Sequence, residues 1–520
     1  MANFQLFSTR NIPATNTVNE AGGRAYRLTP RHALAQYALT GCLNQTYYSS
    51  AEEQLQKTLE LLKGVPAEFI AKTAIYARLK GYMKDMPALL CAALTTRDWE
   101  AFSVTFDQVI DNGRMLRTFM QIMRSGVVGR KSLGSMPKRK VQQWLTSQRG
   151  EQLFNASVGQ SPSLADVIKM MHPKPSSPEQ EALFAYLLDR PHQEALLPET
   201  VKAFERFKLN PKEPVPDVPF QRLTSLNLTP EHWRQVARQV SWQTLRMNLN
   251  TFARHGVMKK ADEVVAMAER LRDPVAIRKA RVFPYQLLAA YLNADAELPG
   301  LLREALQDAL ELSLGQVPTF EGQQVYVLPD VSGSMSSPIT GARGSATTKV
   351  RCIDVAGLVA AAVLRKNPKA EVIPFEQEVV SHLELNARDS VLTNAEKLAS
   401  VGGGGTNCRA PLTMLNRQKA KGELVIYVSD NESWLGAAAG RATGTLHEWE
   451  IFKQRNPTAK LVCIDLQPNA HSQAPERPDI LNIGGFSDQV FELMHDFSTG
   501  ALNPDHLVGK VEQISLSPLH

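Results

Sequence analysis

The stretch Tyr326-Val-Leu-Pro-Asp330-Val-Ser332-Gly-Ser334-Met335 decides how the rest of the chain is interpreted. The residues from Gln324 to Leu328 are mostly apolar and β-branched, and they predict a buried strand that breaks at Pro329. The pattern Asp-x-Ser-x-Ser then places one carboxylate and two hydroxyls on a tight loop, where hard oxygen ligands can converge on one small cation. Taken alone, such a motif is as typical of a turn or a helix cap as it is of a metal site.

Two more segments supply oxygen ligands of the same kind. The glycine run at residues 402–405 is followed by Thr406, and the apolar segment 424–429 predicts a second strand that leads into Asp430. Because an open parallel sheet collects its ligands at the carboxyl ends of the strands, we expect these loops to meet. The sequence therefore predicts a divalent metal site formed by Asp330, Ser332, Ser334, Thr406 and Asp430.

The predicted ligands also indicate which metal binds and how the site works. Two carboxylates among hydroxyl ligands suit a small octahedral ion, so magnesium is favoured over calcium. This ligand set leaves one coordination position open, and a carboxylate or phosphate oxygen of a partner can fill it. We therefore interpret the site as a binding device.

The length and composition of the chain indicate a multidomain protein. With 520 residues, of which 43% are hydrophobic and 21% are charged, we expect two or three globular domains in a soluble protein. We expect a cytoplasmic location, because no apolar run approaches a membrane span and the first residues lack a signal-peptide pattern. Neither zinc nor disulfides are expected, because the cysteines lack a metal-ligand spacing; they are Cys42, Cys91, Cys352, Cys408 and Cys463.

The sequence predicts a domain boundary at residues 320 and 321. Residues 1–320 contain a succession of amphipathic segments, such as 85–94 and 243–255, joined mostly by short loops. This succession favours an all-α, HEAT-like solenoid over a bundle, although no clean repeat period is present. Residues 321–520 contain the strand-like segments and predict an α/β doubly wound domain. A rigid connector or a corner is predicted within the helical part at Pro211, Pro214, Pro216 and Pro219.

Charge is distributed unevenly between the two predicted domains. Residues 1–320 contain 40 Lys and Arg against 30 Asp and Glu, whereas residues 321–520 contain 18 against 22. A basic half of this kind predicts a polyanionic partner. Its densest segment combines a glycine-rich loop with a basic helix start, and its six cations are Arg124, Arg130, Lys131, Lys138, Arg139 and Lys140.

We interpret this basic segment as a binding site for the phosphates of folded RNA or DNA. Cations at a helix N-terminus oppose the helix dipole, so something other than helix stability favours them there. The alternative is a solvated loop without a ligand. Weaker signals of the same kind occur at His172 and Lys174, and at Lys279 and Arg281.

Several segments resemble landmarks of the TROVE module and occur in the same order. They are Gly41-Cys-Leu-Asn-Gln-Thr46-Tyr47-Tyr48, Gly129-Arg130-Lys131 with Lys138-Arg139-Lys140, His172-Pro-Lys-Pro-Ser-Ser177, and Lys279-Ala-Arg281-Val-Phe-Pro284. The predicted metal ligands resemble the metal-ion-dependent adhesion site of von Willebrand factor A domains. A TROVE module combined with a von Willebrand A domain is the arrangement of the Ro autoantigen family, which this chain resembles nearly from end to end.

The resemblance implies a ring of HEAT-like helices closed by the A domain, with a small noncoding Y RNA on its outer basic surface. It also implies that the central hole takes single-stranded 3′ ends of misfolded or immature RNA, in RNA quality control, maturation or decay. Bacterial members are linked to the exoribonuclease polynucleotide phosphorylase. We further expect a monomer within a ribonucleoprotein and no membrane partner.

The chain departs from the family pattern in two places. Apolar Leu164 replaces a histidine of vertebrate members, so one Y RNA contact cannot be transferred to this chain. The loop at residues 336–349, after the first metal motif, is longer than expected and rich in Gly, Ser and Thr. We expect this loop to affect access to the ion.

Catalysis by the chain itself is not expected. The sequence lacks a recognisable serine, histidine and acid arrangement and a phosphate-binding loop with its lysine. A metal-dependent nuclease is disfavoured, because two-metal sites usually need three or four acidic ligands, whereas this site has Asp330 and Asp430. The alternative of a metal-dependent protein-adhesion scaffold without RNA function leaves the basic half unexplained.

Overall fold

The computed structural model describes residues 12–41, 43–344, 347–435, 442–487, 489–502 and 505–517. The chain divides into two compact units. The sheet unit comprises residues 1–65, 283–292 and 310–513, and the helical unit comprises residues 66–282, 293–309 and 514–520. This division does not coincide with the predicted boundary at residues 320 and 321, because the first 65 residues belong to the sheet unit.

The N-terminal part of the sheet unit contains two strands and two helices. They are β1 (Thr17–Val18), β2 (Arg24–Arg27), α1 (Pro30–Thr40) and α2 (Ala51–Lys63). The side chains of Thr29 and Ser50 cap the N-termini of the two helices and satisfy amides of the first turn. Local sequence does not predict the two strands, because such short segments carry too little periodicity.

The helical unit consists of successive helices throughout most of its described residues, which confirms the all-α prediction for this part. They are α3 (Ala67–Leu79), α4 (Asp85–Leu94), α5 (Trp99–Val109), α6 (Gly113–Ser125), α7 (Ser135–Ser147), α8 (Gly150–Ala156), α9 (Leu164–Met171), α10 (Pro178–Leu187), α11 (Glu199–Leu209), α12 (Phe220–Leu223), α13 (Pro230–Gln239), α14 (Trp242–Met247), α15 (Leu249–Arg254), α16 (Ala261–Arg272) and α17 (Pro274–Ala280).

Details of the helical unit differ from the prediction in a few places. The segment 243–255 forms α14 and α15 instead of one helix, because the chain leaves the helical conformation at Asn248. Helices α5, α8, α12 and α17 were not predicted, and the last three are too short to show a clear helical period. The proline-rich residues 211–219 lie between α11 and α12, outside regular secondary structure, as predicted.

The remaining elements belong to the sheet unit, except that residues 300–309 of α19 lie in the helical unit. They are α18 (Pro284–Leu292), α19 (Gly300–Ser313), β3 (Val325–Pro329), α20 (Cys352–Lys366), β4 (Glu371–Val372), α21 (Val391–Ala399), α22 (Ala410–Arg417), β5 (Leu424–Ser429), α23 (Gly444–Arg455), β6 (Lys460–Asp465), β7 (His471–Ser472), β8 (Ile480–Gly484), α24 (Gln489–Thr499) and α25 (His506–Glu512).

A five-stranded parallel sheet forms the centre of the sheet unit, in the order β4-β3-β5-β6-β8. Strand β3 extends one residue further than predicted, because the Pro329 carbonyl still accepts a hydrogen bond from the Phe375 amide over 3.1 Å. Pro329 lies opposite Val428 of β5, so both strands end at the same edge of the sheet. The predicted α/β domain and its parallel strands are therefore confirmed.

A second, three-stranded sheet joins the N-terminal residues to the C-terminal part of the sheet unit. Its order is β1-β2-β7, and Tyr26 of β2 lies opposite Ser472 of β7. This pairing explains why the first residues pack with a sheet that follows them by about 300 positions in the chain. Among the described residues, no helix combines the length and the apolar character needed to cross a lipid bilayer.

Candidate metal site and basic surface

The first predicted ligand, Asp330, is fixed between the ends of two strands. Its amide donates to the Val428 carbonyl of β5 over 2.9 Å. One carboxylate oxygen accepts from the Ser332 amide over 2.8 Å, and the other accepts from the Ser429 hydroxyl over 2.6 Å. The strand pairing and these two bonds therefore set both the position and the orientation of this carboxylate.

The glycine run brings Thr406 to the Asp-x-Ser-x-Ser loop. The Gly403 amide donates to the Val331 carbonyl over 2.9 Å, and the Gly333 amide donates to the Gly404 carbonyl over 2.8 Å. Gly402 has φ +90°, and a Cβ atom there would lie 2.0 Å from the Val331 carbonyl oxygen. The close approach of the two loops therefore requires glycine at this position.

The structure brings all five predicted metal ligands to the same edge of the sheet. The Thr406 hydroxyl donates to the Ser332 oxygen over 2.8 Å, and the Ser332 and Ser334 oxygens lie 3.4 Å apart. One oxygen of Asp430 accepts from the Glu432 amide over 3.3 Å. The other oxygen of Asp430 is buried and accepts no hydrogen bond from any residue that the structure describes.

The two carboxylates of this cluster lie in an environment that disfavours their charge. Burial raises the pKa of Asp330, and hydrogen bonds from Ser332 and Ser429 partly oppose this rise. Burial also raises the pKa of Asp430 to about 8, and the nearby charge of Asp330 adds to the rise. A divalent cation would compensate both charges, and the free Asp430 oxygen would supply it with a ligand. The residues present therefore fit a magnesium ion.

The six cations of the basic segment lie in the helical unit but differ in what they contact. Arg124 lies in the last turn of α6, and Lys138, Arg139 and Lys140 lie in the first two turns of α7. Two of the six make contacts within the unit: Arg130 donates to the Ser132 and Thr95 carbonyls over 2.8 and 3.1 Å, and the Lys140 amine lies 2.6 Å from Asp107. The exposed members are Arg124, Lys131, Lys138 and Arg139.

The weaker basic signals occupy the C-terminal ends of two helices. His172 is the C-cap residue after α9, and Arg281 is the C-cap residue after α17; both are exposed and adopt the left-handed backbone conformation, with φ 49° and 46°. The Gln142 side chain donates to the Met171 carbonyl over 2.7 Å, which joins the middle of α7 to the end of α9, next to His172. Lys279 lies in the last turn of α17 and Arg281 follows its last residue; this helix packs instead against α14 and α16.

Comparison with known proteins connects this geometry to a family. The model of the Ro60 vWA domain matches residues 324–498. That match includes all five predicted metal ligands. A protein of Deinococcus radiodurans named RNA-binding protein RO60 is 25% identical to this chain, over 95% of this chain and 97% of the relative. The resemblance to the Ro family is confirmed.

Further comparisons agree with this assignment. A protein of Caenorhabditis elegans, also named RNA-binding protein RO60, is 24% identical over 47% of this chain and 38% of the relative. The crystal structure of the Deinococcus radiodurans Ro (Rsr) protein matches with a TM-score of 0.63 and 20% identity, over 91% of this chain and all of that chain. At that identity, the structural match concerns the fold alone: a helical part with a vWA domain.

The structure adds residues around the predicted metal site that local sequence did not indicate. Ser429 orients Asp330, and a carboxylate oxygen of Glu376 accepts from the Gly404 amide over 2.7 Å. Burial raises the pKa of Tyr48, from the N-terminal segment; the charge of Asp430 raises it further and a side-chain interaction with Ser334 lowers it. Ser429 immediately precedes Asp430 and was a visible signal, whereas local sequence gave no reason to connect Glu376 or Tyr48 with the site.

The two departures from the family pattern have different outcomes. Leu164 is fully buried at the start of α9, so it packs in the core of the helical unit and offers no surface to RNA. In the loop 336–349, residues 345 and 346 lie outside the described residues, as does Cys42. The described part of the loop returns to the start of α20, where the Ile339 amide donates to the Val350 carbonyl over 2.9 Å.

Proposed function

We propose that this chain binds structured RNA through the exposed cations of the helical unit. The proposal is supported by a relative that is named as an RNA-binding protein and is similar over 95% of this chain. It is also supported by the four cations at the end of α6 and around the start of α7, which are exposed to solvent. Exposed cations at this density favour contacts with several phosphates along a nucleic-acid backbone.

The finer parts of the proposal follow the family resemblance. We propose that the structured ligand is a small noncoding Y RNA, and that single-stranded 3′ ends of misfolded or immature RNA bind a separate basic surface. The chain then acts in RNA quality control, maturation or decay together with an exoribonuclease such as polynucleotide phosphorylase. Closure of the helices into a ring stays a prediction.

We also propose that the site at the edge of the sheet binds magnesium. Asp330, Ser332, Ser334, Thr406 and Asp430 would hold the ion, and the unbonded Asp430 oxygen supports this assignment. A bound magnesium ion supplies a Lewis-acidic centre that attracts an additional oxygen ligand. We propose no catalytic role, because the cluster contains two acids, and no described group of three His, Cys, Asp or Glu residues is arranged to hold a metal.

Filter binding of a labelled Y-like stem-loop across a salt series tests the RNA proposal. Alanine at Arg124, Lys131, Lys138 and Arg139 should weaken binding and flatten the salt dependence, since each phosphate contact contributes roughly −0.7 to −0.9 to the slope. The matched control removes the same charge from the sheet unit, by alanine at the exposed residues Lys369, Arg388, Arg417 and Lys421. Equal affinity and slope in the two variants would refute a specific role for the basic segment.

Arg130, which donates hydrogen bonds to two carbonyls, provides a second control within the basic segment. Arg130→Ala removes hydrogen bonds to two carbonyls, so it should lower thermal stability as well as charge. Lys131→Ala should lower RNA affinity with almost no effect on stability, because exposed charges contribute little to folding.

Incubation of the wild-type protein with labelled RNA and magnesium or manganese should produce no cleavage; cleavage that is lost in Asp430→Ala would identify a nuclease instead.

A further inference from the structure

Glu432 is a buried acid beside the predicted metal ligands. It is 1% exposed, and its amide donates to a carboxylate oxygen of Asp430 over 3.3 Å. Both oxygens of its own carboxylate have partners: the Ala21 amide donates to one over 3.0 Å, and Nε2 of His471 lies 2.9 Å from the other. A buried carboxylate needs such partners, so Ala21 and His471 fix the position of Glu432.

The N-terminal hairpin, residues 17–27, docks on the segment that contains Glu432. Its strands β1 and β2 are antiparallel and are joined by a turn, in which the Asn19 amide donates to the Gly23 carbonyl over 2.8 Å. The Asn19 side chain donates to the Ser433 carbonyl over 2.7 Å, across 414 positions of sequence. A Cβ atom at residue 23 would lie 2.1 Å from the same carbonyl oxygen, so this docking requires glycine there.

The segment 431–434 also contacts β7 and the loop that follows the glycine run. The Asn431 side chain donates to the His471 carbonyl over 3.0 Å. At the other end of the segment, the Trp434 amide donates to the Thr406 carbonyl over 3.2 Å. The segment therefore connects the N-terminal hairpin to predicted metal ligands on two loops.

We propose that Glu432 is a positioning residue that couples docking of the N-terminal hairpin to metal binding at Asp430. The inference rests on the proposed magnesium binding. With the hairpin docked, Ala21 and His471 hold Glu432, and the Glu432 amide holds one oxygen of Asp430, which leaves the other oxygen of Asp430 for the ion. Because coupling between two sites is reciprocal, the bound ion should in turn stabilise the docked hairpin.

Isothermal titration calorimetry with magnesium tests this coupling in the full chain. Glu432→Ala should lower the affinity about tenfold, because residues that hold a metal ligand in place typically contribute that much. Glu432→Gln keeps an acceptor oxygen for the Ala21 amide and should recover most of the affinity. Asn19→Ala, which lies outside the metal loop, should lower the affinity about threefold through weaker docking. The matched control is Asn16→Ala, whose side chain accepts from the Arg27 amide over 2.7 Å, and it should bind magnesium like wild type.

Hydrogen–deuterium exchange measures the reverse effect, from the metal to the hairpin. Saturating magnesium should slow exchange of residues 17–27 in wild type and in Asn16→Ala. It should not slow their exchange in Glu432→Ala, where the connection is cut, or in Asp430→Asn, where a ligand is lost.

The two measurements separate failure of the coupling from failure of the metal site. If wild type binds no magnesium, the proposed metal site itself is wrong. If wild type binds magnesium, but Glu432→Ala and Asn19→Ala bind it equally tightly and exchange of the hairpin does not respond to metal, the metal site stands and the coupling is refuted. Lower melting temperatures with unchanged magnesium affinity would give these residues a structural role alone and would also refute the coupling.

Discussion

The hydroxyl of Thr406 donates a hydrogen bond to the hydroxyl of Ser332 over 2.8 Å, across 74 positions of sequence. Both side chains are at most 2% exposed, so this bond joins the glycine loop to the Asp-x-Ser-x-Ser loop inside the protein. Two hydroxyl oxygens held this close are preorganised to turn toward one cation. The bond therefore connects the packing of the loops with the proposed metal binding.

Removal of the Thr406 hydroxyl should weaken magnesium binding. Thr406→Val keeps the shape of the side chain but deletes one oxygen ligand, and we expect the affinity to fall by about tenfold or more. Thr413→Val is the control, because that hydroxyl donates to the carbonyl of Arg409, the residue before α22. Isothermal titration calorimetry measures both affinities, and an unchanged affinity in Thr406→Val would exclude this hydroxyl from the ligand set.

Replacement of Asp430 should change stability in opposite directions with and without metal. In metal-free solution at pH 8, Asp430→Asn removes a buried charge next to Asp330, so the melting temperature should rise above that of wild type. With magnesium at about 100 times its Kd, wild type should gain about 2.7 kcal/mol, whereas the variant should gain nothing. Thermal unfolding with EDTA or magnesium measures both effects, and RNA affinity should persist in the variant. Equal stabilisation of both proteins would contradict the ligand role.

Magnesium binding should release a proton in neutral solution. The pKa of Asp430 is raised from 3.8 to about 8 in the metal-free fold, so the carboxyl group holds its proton at pH 7 and must lose it to bind the ion. Because the folded pKa is raised, metal-free stability should decrease as pH rises from about 4 to 8, while the stabilisation by magnesium should increase. Calorimetry in buffers with different ionisation enthalpies should detect the released proton at pH 7 and almost none at pH 9. The absence of proton release at pH 7 would show that Asp430 is already ionised.

Two substitutions of Arg281 separate the effect of its backbone conformation on stability from the effect of its charge on RNA binding. A left-handed conformation costs a non-glycine residue roughly 1–2 kcal/mol, so Arg281→Gly should stabilise the protein relative to Arg281→Ala by about 1 kcal/mol. Both variants lose the same cation and should therefore lose similar RNA affinity. Thermal unfolding and filter binding measure the two effects. An Arg281→Gly protein that binds RNA as tightly as wild type would remove Arg281 from the RNA-binding residues.

Local sequence patterns were sufficient to predict the helical part, the parallel sheet and the five candidate ligands. The strand that ends at Pro329 and the strand that leads into Asp430 are each recognisable from a few consecutive residues. Parallel strands place their carboxyl ends at one edge of a sheet, so the convergence of Asp330 and Asp430 follows from the strand assignment. Side-chain caps such as Thr29 and Ser50 likewise act on neighbouring residues, so the starts of those two helices depend on local sequence.

Only the tertiary structure decided which residues surround the site and which cations are free. Asn44 and Gln45 bond the loop at 340–342 only after the N-terminal residues have packed into the sheet unit, and no local periodicity encodes such a contact. Arg130 looks like its neighbour Lys131 in sequence, yet it donates to two carbonyls of its own unit. Sequence patterns determine elements through neighbouring residues, whereas burial and partners depend on segments that are distant in the chain and meet only after packing.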